Sequence, residues 1–308
     1  LRASRFIGPI IANGVVKMKI RTSLPIVFTV PPLLILGVLA FVPTFFALEI
    51  ALQDRELSND EVHFIWFDNF RALFADDRFL HSVLVSLLWE AVTVTATMSV
   101  AILLAVLVFD TATPRLRNFL CALFIIPALL PRVSAAFVWK FAFHPLFGLA
   151  TLPLNLIAGH PVDLLADPNT ALATVAIVDA WQWGLLFSVI VVKLLETLPP
   201  QPLEAARLDH AKTWEVYVFI ALPLLRAPLI SLTFVKMVES LRAFDLIYVM
   251  TRGGPGVTTE TLDMYAFSQG FIESGRISYA SSMAVLMMLT TTIAFTILWK
   301  WARRWQDI

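Results

Sequence analysis

Charge is what this 308-residue chain has least of: 15% of its residues are Asp, Glu, Lys or Arg, against about 25% in soluble domains. The 23 basic and 23 acidic residues cancel, which excludes the basic footprint of a nucleic-acid binder. The single cysteine, Cys121, excludes an internal disulfide. Set in an apolar run, it reads as a small buried hydrophobe rather than a reactive thiol. The five histidines, His63, His81, His144, His160 and His210, are scattered without ligand spacing, so no metal centre is expected. A glycine-rich phosphate loop is missing, and the chain is not expected to bind ATP by that route. No nucleophile–base constellation stands out, which argues against a membrane enzyme.

What the chain has in abundance is hydrocarbon. Hydrophobic residues make up 58% of it, and its mean hydropathy is +0.79. A membrane-crossing helix needs about 20 apolar residues, and six runs qualify: 25–51, 82–109, 118–142, 171–194, 227–249 and 279–301. The first is too long, with the wrong flanks, for a cleaved signal peptide. Pro31, Pro32, Pro43, Pro127 and Pro131 fall inside these runs, which neighbouring helices make tolerable in lipid. The expected fold is therefore an all-α integral membrane domain of six transmembrane helices over residues 25–301, with an N-terminal segment 1–24 and a short tail 302–308.

Lysine and arginine set the orientation. With the N-terminus inside, the inner segments hold 14 of them, from Arg2, Arg5, Lys17, Lys19 and Arg21 to Lys300, Arg303 and Arg304. The outer segments hold five: Arg55, Arg71, Arg78, Arg252 and Arg276. Both termini are expected in the cytoplasm, along with the linker 195–226 between the fourth and fifth spans.

That linker contains EAARLDHAKTWEVY, Glu204 to Tyr217, a polar stretch between two apolar runs. Pro199, Pro200 and Pro202 end the preceding element, and Leu203 to Ile220 is rich in good helix formers. Ala205, Ala206 and Ala211 permit close approach to another surface, and Glu204 sits in the first turn, where a negative charge suits the helix dipole. An amphipathic linker lying on the membrane is one reading. Alanine-rich helices with charges of both signs bind lipid poorly, so a docking element for a cytoplasmic protein fits better.

The stretch LPPQPLEAARLDHAKTWEVYVFIALPLLRAP resembles the EAA loop of ABC-importer permeases through Glu204, Ala205, Ala206, Asp209, Ala211, Leu222 and Pro223. The family pattern has glycine where this chain has His210, a residue type that tolerates positive φ at a higher cost than glycine. FDNFRALFADDRF (67–79), FHPLFGLATLPLNLI (143–157) and FDLIYVMTRGGPGVTTETLDMYAFSQGF (244–271) resemble, in order, outer-loop and span-five segments of sugar permeases of the maltose-transporter type. The resemblance implies an inner-membrane subunit that binds no cofactor of its own. It would pair as a heterodimer with a second, related permease and work with two ATPase subunits that bind ATP and Mg. An extracytoplasmic solute-binding protein would deliver a sugar or sugar derivative, and Glu204, Ala205, Ala206, Asp209, His210 and Ala211 would form the coupling element.

Ionisable residues inside the membrane usually face a bundle interior or a watery cavity. The fifth span carries Lys236, Glu239, Arg242 and Asp245 at a spacing of three, so adjacent pairs can meet, but the stripe drifts about 60° per step. The fourth span offers Asp179, Trp181, Gln182 and Trp183, the second Glu90, and the third Lys140. These ten residues are candidates for a solute pathway, with aromatic rings supplying stacking surface. Mutual pairing that holds helices together is the competing reading, and Arg132 beside Pro131 is read as structural. An ion-coupled secondary carrier and a permease for a non-sugar solute are the alternative functions.

Overall fold

The computed structural model describes residues 23–59 and 61–306. The expected N-terminal segment 1–24, with Arg2, Arg5, Lys17, Lys19 and Arg21, lies outside the described residues apart from its last two positions. So do the last two residues of the expected tail 302–308. The chain divides into two compact units, Leu1–Phe46 and Ala47–Ile308. The described part of the first unit is most of helix α1 (Ser23–Ala51), which contains Pro31, Pro32 and Pro43. Phe28, Leu34, Phe41 and Phe45 are all exposed, and a helix apolar all round suits a lipid surrounding.

In the second unit the order is α2 (Asp68–Phe74), α3 (Asp77–Thr111), α4 (Pro114–Leu129), α5 (Arg132–Ala142), α6 (Leu152–Ala158), α7 (Ala171–Glu196) and α8 (Pro200–Leu208). Then follow α9 (Thr213–Val216), a π-helical turn (Tyr217–Ala221), α10 (Leu222–Leu224), α11 (Arg226–Ser240), α12 (Phe244–Met250), α13 (Leu262–Phe267), a second π-helical turn (Ser268–Glu273) and α14 (Ile277–Gln306). No strand occurs among the described residues. Among the described residues, four helices are long and apolar enough to cross a membrane, Phe28–Ala51, α3, α7 and Ile277–Lys300, and the number rises to six if each of two bent helix pairs forms one span. At 1.5 Å per residue, the 35 residues of α3 extend about 52 Å, well beyond a hydrocarbon core of about 30 Å.

Three expected elements are broken rather than continuous. The run 118–142 is two helices, α4 and α5, meeting at 97°. Pro131 lacks an N–H and forces its predecessor out of the helical region, and Leu130 is extended, with ψ 132°. The run 227–249 ends as a helix at Ser240 and resumes at Phe244. Between them the Arg242 carbonyl accepts from the Arg132 guanidinium at 3.0 Å, a partner outside the helix. On its other side, Thr213–Leu224 meets α11 at 79°. The expected helix Leu203–Ile220 is interrupted after Leu208, where His210 adopts φ 58°.

Capping residues place the ends of α3 and α4. Asp76 accepts from the backbone N–H groups of Arg78 and Phe79 at 2.9 and 3.3 Å and starts α3. Thr113 with Pro114 starts α4. Packing then follows residue size. α3 and α7 approach closely through Ala101, Ala105 and Gly184; a Cβ on Gly184 would lie 2.9 Å from Val100 Cγ1. One apolar cluster joins Val108, Phe187, Val191 and Leu195 to Tyr217, Ala221 and Leu225. A second joins Trp89, Val175 and Val178 to Ala243, Leu246 and Ile247, and a third gathers Leu73, Phe79, Tyr265 and Met283. Apolar side chains on the outer faces, Leu87, Leu103, Phe119, Val138 and Ile293 among them, are exposed, as a bilayer-embedded bundle requires.

Candidate functional site

Four charges from three helices close a ring inside the bundle. Asp179 on α7 accepts from Arg132 Nη2 through Oδ1 and from Lys236 Nζ through Oδ2, both at 2.6 Å. Glu239 accepts from Lys236 Nζ at 2.8 Å and from Arg132 Nη1 at 2.5 Å. Two cations and two carboxylates alternate around the ring, so its formal charge is zero. The side chains of Asp179 and Lys236 are 0% exposed, those of Arg132 and Glu239 14%. Such burial is tolerated only because every charge has an opposite partner within hydrogen-bond reach.

The helix break delivers Arg132 to this ring. Ending α4 leaves carbonyls without helical partners, and Gln182 on α7 supplies them, its Nε2 donating to Pro127 O at 3.1 Å and Leu130 O at 2.8 Å. Thus Gln182 holds the corner from which α5 departs with Arg132 in its first turn. Ser240, the last residue of α11, donates its hydroxyl to Glu90 on α3, and its carbonyl accepts from Trp89 Nε1 at 2.9 Å. Lys236 Nζ lies 5.6 Å from the centre of the Trp183 ring, a cation–π distance.

Of the ten pathway candidates, Asp179, Lys236 and Glu239 meet in the ring, with Trp183 against it and Glu90 one serine away. Trp181 packs edge-on to Trp139 at 5.3 Å. Lys140 is exposed and donates to Val249 O at 2.7 Å. Arg242 and Asp245 have exposed side chains; with α11 ending at Ser240, neither continues the stripe begun by Lys236. Arg132, read from sequence as structural, closes the ring. Ser240 and Asp263, which line a cavity beside it, had only weak signals in the sequence: a serine one position beyond Glu239 and an acid in an apolar stretch.

The polar linker forms a second feature. Its helix α8 ends in a Schellman-type turn: the Ala211 N–H donates to Ala206 O at 3.0 Å across His210, which occupies the left-handed position usually given to glycine. Lys212 N–H donates to the Glu215 carboxylate at 2.7 Å, starting α9. Ala206 is buried, whereas Glu204, Ala205, Leu208, Asp209 and His210 are exposed and Ala211 is half-buried. The segment is anchored through Tyr217, whose hydroxyl donates to Asp110 at 3.3 Å near the end of α3.

The opposite end of α3 is tied by a different cluster. Besides its capping bonds, Asp76 accepts from the hydroxyls of Tyr265 and Tyr279, each at 2.6 Å. Burial opposes its charge, but these four hydrogen bonds together hold its carboxyl below the usual range. Arg78 bridges Glu260 and Glu273, both at 2.8 Å. Chiefly through the Arg78 hydrogen bonds, the Glu273 carboxyl is also held low.

An all-helical membrane bundle with broken spans, a sealed charge ring and an exposed polar hook between two spans has the architecture of a transport-system permease. A family described as binding-protein-dependent transport system inner membrane component matches residues 99–307, and the chain belongs to it. Among its relatives is the trehalose/maltose transport system permease protein MalF of Thermococcus litoralis, 26% identical over 284 residues, covering 92% of this chain and 95% of that one. Another is the sn-glycerol-3-phosphate transport system permease protein UgpA of Agrobacterium fabrum, 27% identical over 274 residues, with 88% and 92% coverage. The solved structure of a bacterial ABC transporter involved in the import of the acidic polysaccharide alginate shares the fold, with a TM-score of 0.77, 17% identity, and coverage of 92% of this chain and 96% of that one.

Proposed function

We propose that this chain is one permease half of an ATP-driven importer for a sugar or sugar derivative. It works with a second, related permease, two ATPase subunits that bind ATP with Mg, and an extracytoplasmic solute-binding protein. Membership of the binding-protein-dependent family and the maltose-system and glycerol-phosphate-system relatives support the solute class. The lysine and arginine bias supports an orientation with both termini and α8 in the cytoplasm. The observation that carries the coupling role is the hook itself: a short helix closed by a left-handed residue, anchored by buried Ala206 and presenting Glu204, Ala205, Asp209 and His210 outward.

Chain geometry supplies a route from hook to bundle. A displacement of α8 passes through Tyr217, Ala221 and Leu225, which pack against Ala105, Val108 and Leu195, into α11. The charge ring ties α11 to α5 and α7, so the three helices shift as a body while the bends at Leu130–Pro131 and Leu225 absorb the change in angle. Sugar uptake by the reconstituted importer tests the reading. Glu204→Ala is expected to insert normally and leave ATP hydrolysis in place while uptake falls; unchanged uptake would overturn the docking role.

A further inference from the structure

Between α11 and α14 lies an open cavity of about 540 Å³. One end reaches Trp299 and Lys300 on α14, and the other reaches Leu241, just past the end of α11. There it joins a second cavity of about 340 Å³, which shares Leu241 and Thr291 and continues along Ala266, Met283, Met287 and Met288. From Lys300 back to Thr291 the helix runs about 13.5 Å, close to half of a hydrocarbon core of about 30 Å. Met283 lies about 12 Å further along. Neither cavity is lined by a residue of the charge ring or of the hook.

The walls suit hydrocarbon. Phe234 packs edge-on to Phe295 at 5.2 Å and lies 5.4 Å from the Trp299 ring. The threonines of α14 turn their hydroxyls back to their own helix. Thr292 donates to Met288 O and Thr296 to Thr292 O, both at 2.7 Å, and Thr291 to Met288 O at 3.1 Å. At the far end, Asp263 accepts from the Thr261 hydroxyl and from the Met264 N–H. Little hydrogen-bonding demand is left for an occupant to meet, and the methionines can repack around a flexible chain. The mouth is different. Lys300 is exposed and joins none of the ion pairs among the described residues. The sequence adds Arg303 and Arg304 three and four positions on. The apolar length of α14 ends at Lys300, so these cations and Trp299 fall at the membrane–water boundary.

We infer that this cavity is a binding site for an anionic phospholipid. One acyl chain lies between α11 and α14, and the phosphate-bearing headgroup meets Lys300, Arg303 and Arg304. Clustered basic residues at the membrane surface attract anionic headgroups, and an open apolar cavity beneath them holds the chain that such a headgroup carries. Basic residues at a helix end also set topology, but topology does not require a cavity beside them. A zwitterionic lipid offers the same chains without the net charge. An apolar helix of a partner protein would fill the cavity and bring no counter-charge to its mouth.

The test uses the purified full chain in detergent micelles and native mass spectrometry. Palmitoyl-oleoyl phosphatidylglycerol and phosphatidylcholine compete as probes; they share acyl chains and differ in net headgroup charge. Phosphatidylglycerol adducts are expected to exceed phosphatidylcholine adducts at least about fivefold. The triple variant Lys300→Gln/Arg303→Gln/Arg304→Gln should bring the two within about twofold. Val238→Trp narrows the apolar part, leaves the cations in place and should lower retention of both lipids. The two variants act on opposite ends of the site, so either decides the matter if the other does not fold. A phosphatidylglycerol with a photoreactive diazirine on its acyl chain should label peptides within 234–241 and 283–300, and Val238→Trp should remove that labelling. No headgroup preference, an unchanged ratio in a folded triple variant, or labelling spread evenly over the outer faces of α3 and α4 would each overturn the site. So would loss of the labelling once the second permease is bound, since a helix of that partner would then fill the cavity.

Discussion

The charge ring makes a quantitative claim about Asp179 and Lys236. Both side chains are 0% exposed and they meet at 2.6 Å. Asp179→Leu leaves Lys236 and Arg132 sharing Glu239 alone, a net charge of +1 sealed in the bundle. Lys236→Met leaves the opposite imbalance. Removing one partner of a buried ion pair costs about 3–5 kcal/mol, so each single variant should lose about that much. The double variant Asp179→Leu/Lys236→Met behaves differently. It leaves Arg132 and Glu239, which already contact each other at 2.5 Å, as a neutral pair. Replacing a buried pair by apolar groups is often neutral or even stabilising, so the double variant should be less destabilised than either single one. Equilibrium unfolding of the purified chain in mixed detergent micelles, followed by helicity, measures all four corners of the cycle. A double-variant loss equal to the sum of the single losses, within about 0.5 kcal/mol, would mean that the two charges act independently and would refute the ring.

At the hook, His210 at φ 58° carries a steric cost that glycine does not. His210→Gly should therefore slow exchange of the Ala211 amide, which donates to Ala206 O. His210→Val should speed it, since a side chain in the left-handed region costs about 1–2 kcal/mol and a β-branched one more; hydrogen-exchange mass spectrometry over 205–216 checks both. At the other end of α3, Asp76→Asn should lower stability at pH 7 by about 1 kcal/mol after allowing for solvent screening. Because the folded carboxyl titrates below its ordinary value of about 3.9, its contribution is fully present above that pH and is lost as pH falls through the depressed value. Melting curves of the native chain and Asp76→Asn should therefore differ at pH 7, and the difference should shrink only once pH falls below the ordinary carboxylate range.

The ring, the hook and the cavity were legible in the sequence to different degrees. Apolar runs declare themselves because lipid imposes one long-range demand, about 20 residues of hydrocarbon with every backbone group paired. That demand is met residue by residue, so composition alone placed this chain in a membrane. The hook was legible for a related reason. Prolines before Leu203, helix formers within it and a non-glycine residue at the closing position are local properties, and His210 does take the positive φ that the comparison with glycine implied.

Pairing is not local. Lys236 and Glu239 are one turn apart and could be matched from spacing, but their partners Arg132 and Asp179 come from 104 and 57 residues away along the chain. Arg132 reaches them only because α4 and α5 meet at 97°, an angle that Pro131 permits but does not specify. Nor does spacing say that Arg242 and Asp245 leave the stripe, because the end of α11 depends on which group accepts the Arg132 guanidinium. The direction of each hydroxyl around the cavity is further from the sequence still: a serine or threonine offers both a donor and acceptors, and the neighbours decide which face the bundle and which the void. Sequence by itself determined the solvent this protein lives in and where its polar hook falls; only the tertiary structure decided which buried charges neutralise one another and what chemistry is left facing the cavity, since both depend on contacts between distant helices.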